Sequence, residues 1–152
     1  MLIRRFILFS FGVLLLGAQT PQDHRSVVLP SHSRPTIPAC FMCDGDSYGS
    51  WEPSKADIDG LEAGLADVAK MIITGWPSVV RIEHPERYYR QYIRVSHRNQ
   101  RRIYINAFCV DPPPPNWRTR LYFVDDGATC FWQALYDPVT KTFSKLTINA
   151  RA

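Results

Sequence analysis

Between residues 88 and 148 the chain carries a succession of short stretches in which side chains alternate in character. The turns between them are too short for a crossover. A period of two is the signature of a strand. Parallel neighbours need connections of about a dozen residues or more, so short turns force antiparallel pairing. The stretches fall at about 88–96, 101–109, 119–125, 129–136 and 142–148. Turn residues stand at His97–Gln100, Asp126–Gly127 and Asp137–Lys141. Only Pro112-Pro113-Pro114-Pro115 breaks the series; a proline run donates no backbone hydrogen bond and must leave the sheet.

Before the strands comes a helical pattern. Ser54 is a good N-cap, and Asp57 three residues on completes a variant capping box. Ile58, Leu61, Leu65, Val68 and Ile72 recur at spacings of three and four and form one apolar stripe. The stripe runs out near Thr74-Gly75, with Pro77 beyond. One helix ahead of an antiparallel four- to five-stranded meander is an α+β layer, the helix on one sheet face. Alternation assigns Ile93, Val95, Ile103, Ile105, Ala107, Leu121, Phe123, Phe131, Leu135, Leu146 and Ile148 to the inner face. Arg90, Tyr92, Arg94, Tyr104, Asn106, Arg120, Tyr122, Trp132 and Tyr136 go to the outer one.

The first eighteen residues have the plan of a cleavable signal peptide. Arg4 and Arg5 precede an apolar run from Phe6 to Leu16, and small or polar residues follow from Gly17 to Thr20. That run is about half the roughly 20 residues a membrane-spanning helix needs. Contact with the membrane is therefore expected during export alone, and the mature protein is expected to be secreted or periplasmic. Residues 19–50 are rich in Pro, Ser and His and read as a stalk, disordered over 19–37. The α+β domain is then 51–152. Losing Arg4 and Arg5 lowers the net charge from +4 to about +2. So small a balance gives no reason to expect nucleic acid as a partner.

Several segments of the strand region carry a resemblance. These are Tyr89-Arg90-Gln91-Tyr92, Ile103-Tyr104-Ile105-Asn106-Ala107-Phe108, Asp126-Gly127 with Phe131-Trp132, and Tyr136-Asp137-Pro138 with Phe143. Together they resemble small exported bacterial proteins of uncharacterised function. The order of helix then meander is similar to cystatin-like and NTF2-like folds. The resemblance implies no activity. Cystatins inhibit through a Gln-x-Val-x-Gly motif at a hairpin tip; here Gln91-Tyr92-Ile93-Arg94-Val95 lacks the Gly and lies within a strand.

No specific catalytic pattern is present: there is no Gly-x-Ser-x-Gly, no His-Glu-x-x-His and no phosphate-binding glycine loop. Asp125-Asp126 before Gly127 reads as a turn, and Asp44-Gly45-Asp46 lacks the later ligands of a calcium loop. Neither a cofactor nor a metal is expected. The outer face draws attention because Tyr, Trp and Arg dominate binding hot spots. Arg90, Tyr92, Arg94, Tyr104, Tyr122 and Trp132 are the candidate binding residues, for a protein or a small ligand. The function expected is a non-enzymatic exported binding module. The alternatives are an inhibitor of an extracellular protease or lysozyme, acting through a projecting Pro112–Trp117 loop, and an NTF2-like enzyme.

Cys40, Cys43, Cys109 and Cys130 are read as two disulfides, since export favours oxidation. If 119–125 is the third strand, Cys109 and Cys130 lie at its opposite ends. They are then well over 10 Å apart, against a Cα limit of about 7 Å for a bridge. Cys40 and Cys43 are therefore expected to cross to the sheet, in either pairing, with Cys40–Cys43 plus Cys109–Cys130 as the alternative.

Overall fold

The computed structural model describes residues 24–30, 47–73 and 79–150. In chain order its elements are β1 (Ser26–Val28), β2 (Ser47–Tyr48), α1 (Lys55–Ala63), β3 (Tyr89–His97), β4 (Gln100–Phe108), β5 (Phe131–Asp137) and β6 (Thr142–Ile148). The fold is α+β. Strands β3, β4, β5 and β6 form an antiparallel meander. Its β3 edge is covered in two lengths, by β1 in parallel along Arg90–Tyr92 and by β2 in antiparallel at Val95 and Ser96. The sheet is thus mixed rather than purely antiparallel.

The helix begins where its cap dictates. Asp57 N donates to Ser54 Oγ at 3.2 Å, and Ser54 N donates to Asp57 Oδ2 at 2.8 Å. It stops at Ala63, and a 3-10 helix from Leu65 to Lys70 continues the chain. That tighter winding has three residues per turn, so Leu65 and Val68 stay on the buried side while the apolar stripe drifts. Ile73 is buried and Ile72 is 53% exposed, contrary to the helical stripe read from the sequence. Leu61, Leu65 and Val68 pack with Tyr92, Ile103, Ile105, Ala107, Trp132, Ala134 and Tyr136 in the main core.

Two of the expected faces are inverted. The β3–β4 hairpin turns through only Arg98 and Asn99, both with positive φ (50° and 63°), and His97 pairs with Gln100. A two-residue turn pairs odd-numbered with even-numbered residues: Tyr92 lies opposite Ile105, and Ile93 opposite Tyr104. Hence Arg90, Tyr92 and Arg94, not Ile93 and Val95, share the helix side with Ile103 and Ile105. The same holds in β5, where Ala134 pairs with Ile105. Trp132 and Tyr136 therefore lie beneath the helix, while Phe131 and Leu135 face away. A one-residue change of register moves every side chain to the other face.

The expected strand at 119–125 is absent. That segment crosses the second face of the sheet as coil, and buried amide side chains take the place of a strand ladder. Gln91 Nε2 donates to the carbonyls of Trp117 and, at 2.7 Å, Arg120; Gln91 Oε1 accepts from Tyr122 N at 2.8 Å. Asn106 Nδ2 donates to Tyr122 O at 2.7 Å, and Asn149 Nδ2 to Val124 O. These bonds satisfy backbone groups that would otherwise be buried and unpaired. Beneath the coil, Phe108, Trp117 and Phe131 form a separate aromatic cluster against Tyr89 and Tyr122.

With no strand between them, β4 and β5 are direct neighbours, which overturns the expected cysteine pairing. Cys109 and Cys130 follow and precede the paired residues Phe108 and Phe131. They form a disulfide with a Cα–Cα distance of 5.0 Å. Cys40 and Cys43 lie outside the described residues, as does the signal segment. Gly127 makes the approach to β5 possible, since its φ is +101° and any side chain there would strike the Phe131 ring. The stalk reading is corrected in part: Ser26–Val28 belongs to the sheet and Leu29 is buried. Arg90 N donates to Arg25 O at 2.7 Å and Leu29 N to Tyr92 O at 2.9 Å, which anchors this short strand. Among the described residues no helix is long and apolar enough to cross a membrane.

Candidate functional site

The six side chains singled out from the sequence do not form one surface. Arg90, Tyr92 and Trp132 are buried beneath the helix, and Tyr104 is buried on the opposite face. Tyr122 is half-buried, its ring edge-on to Phe108 at 5.0 Å. Arg94, also half-buried, donates to Gly49 O at 2.9 Å and pairs with Glu52 at 3.1 Å, which secures the segment after β2. The exposed aromatic face expected of a partner-binding sheet is not there, because the helix covers one side and the 117–124 coil the other.

Arg90 supports a different feature. Its Nη1 donates to Glu86 O at 2.8 Å and Tyr88 O at 2.6 Å, its Nη2 to Glu62 at 3.1 Å and its Nε to Tyr92 Oη at 3.0 Å. Tyr92 Oη in turn donates to Glu62 Oε1 at 2.7 Å. A buried cation is tolerable only when paired and hydrogen-bonded in this way. Burial pushes the Tyr92 phenol well above its ordinary range; the Arg90 charge opposes this and the Glu62 charge adds to it. The guanidinium holds in place the 3-10 turn Pro85–Arg87 that leads into β3.

That turn is one wall of an open cleft of about 480 Å³, lined by Arg81, Glu83, His84, Arg87, Tyr88, Cys109 and Thr129. Local sequence explains the lining. Val80 and Ile82 are buried, so extended backbone turns Arg81 and Glu83 outward. His84 takes a left-handed conformation (φ 52°) and its Nδ1 lies 3.3 Å from Glu86, an exposed pair. Tyr88 also lines the cleft and donates to Thr129 O at 2.9 Å. Burial raises the Tyr88 phenol, and the Glu83 charge raises it further, so it stays a neutral donor. The far wall is the turn Ala128–Cys130, tied to the end of β4 by the disulfide and by Cys109 N donating to Cys130 O at 3.0 Å.

A second, smaller hollow of about 190 Å³ lies on the other face, lined by Pro114, Asn116, Trp117, Arg120, Leu121 and Tyr122. Among the described residues no group of three or more His, Cys, Asp or Glu is placed to hold a metal. The 81–88 cleft was not read from the sequence. Its one local signal is the alternation Val80-Arg81-Ile82-Glu83, too brief to mark a strand.

No family model matches this chain, and neither does any curated protein or solved structure. The Cys109–Cys130 bond is compatible with a periplasmic or extracellular location, because disulfides persist in oxidising compartments.

Proposed function

We propose that this chain is an exported binding module whose binding site is the cleft between residues 81–88 and the turn Ala128–Cys130. One observation carries the reading: both walls are fixed before any ligand arrives. The Arg90 guanidinium holds the carbonyls of one wall and the disulfide holds the other. A preorganised concave site avoids the ordering entropy that a flexible one would lose on binding. The signal segment and the disulfide both support export. One helix laid on an antiparallel meander supports a cystatin-like arrangement. The hydrolase-inhibitor alternative needs a projecting Pro112–Trp117 loop; Trp117 is buried and its carbonyl is held by Gln91, which favours the cleft.

Amide NMR of the mature protein against a small-molecule fragment library tests this. Shifts gathered at Glu83, His84, Tyr88 and Thr129 are the expected result. Shifts gathered instead around Asn116–Tyr122 would move the site to the other face.

A further inference from the structure

We infer that the cleft recognises an oxyanion (a phosphate, sulfate or carboxylate group) through Arg81 and Arg87. This rests on the cleft being the binding site. Among the described residues six arginines are already engaged through their side chains. Arg90, Arg94 and Arg102 each pair with a carboxylate: Glu62, Glu52 and Asp137. Arg25, Arg101 and Arg118 lie over the rings of Tyr89, Trp51 and Trp117. Arg81 and Arg87 have no side-chain hydrogen bond, ion pair or ring contact among the described residues, and they line the same cleft.

A guanidinium presents a fixed fork of donors that matches two oxygens of a carboxylate or phosphate at once. Two such forks outnumber the one lining carboxylate, Glu83, while Glu86, 3.3 Å from His84 Nδ1, stands just outside the lining. The Arg90 guanidinium braces the carbonyls of Glu86 and Tyr88 on either side of Arg87, so the backbone that carries this fork is set in advance. The Tyr88 hydrogen already goes to Thr129 O, so the donors left for an anion are the two guanidinium groups. Glu83 sets a limit on the ligand: it disfavours a second negative group near Arg81, so one anionic head on an otherwise neutral body fits best.

The test is an amide NMR titration of the mature protein at fixed ionic strength. Inorganic phosphate, sulfate and acetate are used in separate arms, with glycerol as the neutral control. Saturable shifts at His84 and Thr129 with at least one anion are expected, and the arms rank the three anions. The R81Q/R87Q variant should weaken that binding at least ten-fold with an unchanged thermal midpoint, since both side chains are exposed. R98Q, at the hairpin tip, should bind as the parent does. Shifts that never saturate, or an undiminished affinity in R81Q/R87Q, overturn the inference. If neutral fragments occupy the cleft and anions do not, the oxyanion inference fails while the binding-site reading stands. If neither occupies it, both fail.

Discussion

Arg90 and Glu62 meet at 3.1 Å across the interface between sheet and helix, the guanidinium wholly buried and the carboxylate side chain 23% exposed. The contact joins three elements, because the same guanidinium also holds the carbonyls of Glu86 and Tyr88. Helix, sheet and cleft wall therefore share one electrostatic support.

Removing that support should be severe. Arg90→Met leaves Glu62 facing an apolar site and frees the carbonyls of the turn, at about 3–5 kcal/mol. Replacing both partners, R90M/E62L, should recover part of the loss, because an apolar pair avoids the desolvation of two charges. Urea denaturation of the parent, both single variants and the double variant closes the cycle. Strictly additive losses would mean that the two residues are not coupled.

Leu65→Ala and Trp132→Ala both remove core volume on the helix side. Leu65→Ala should cost about 2–5 kcal/mol and Trp132→Ala about 3–5 kcal/mol. The Trp132 variant separates two roles for this residue. A folded W132A protein with a nearly unchanged thermal midpoint would contradict its placement beneath the helix.

The disulfide closes a short loop, with a sequence separation of 21. The chain-entropy model gives about 3 kcal/mol for a loop of that size. C109A/C130A should lose roughly that amount, read from the denaturation midpoint. Non-reducing peptide mapping should recover Cys109 linked to Cys130; a peptide joining either to Cys40 or Cys43 would contradict that bond.

Alkali should destabilise the fold through Tyr92 and Tyr88. Both phenols are raised above the ordinary value of 10.0, so the folded chain keeps protons that the unfolded chain releases. Stability from this source is intact below about pH 10 and falls as pH rises beyond it. Tyr92→Phe should lower stability near neutrality, through lost bonds to Glu62 and Arg90, yet flatten the alkaline slope. Denaturation midpoints measured from about pH 8 to pH 11 decide this, and an equal slope in parent and variant would refute it.

What the sequence determined by itself was local. Period-two alternation located β3, β4, β5 and β6 within a residue or two, the Ser54–Asp57 capping box marked a helix start, and the α+β class followed. Each depends on neighbours close in the chain. Tertiary structure decided which face each strand turned inward. In β5 every residue from Phe131 to Tyr136 is buried, so alternation there does not separate inside from outside. Both sheet faces are covered, one by the helix and one by the 117–124 coil, and burial on both sides erases the polar face that a sequence reading relies on. The same covering turned Arg90 and Trp132 from surface candidates into core. It also removed the strand that was expected to keep Cys109 and Cys130 apart. The coil itself was illegible because its backbone partners are side chains on three separate strands or strand ends, Gln91, Asn106 and Asn149, and only the folded register brings those amides beneath it.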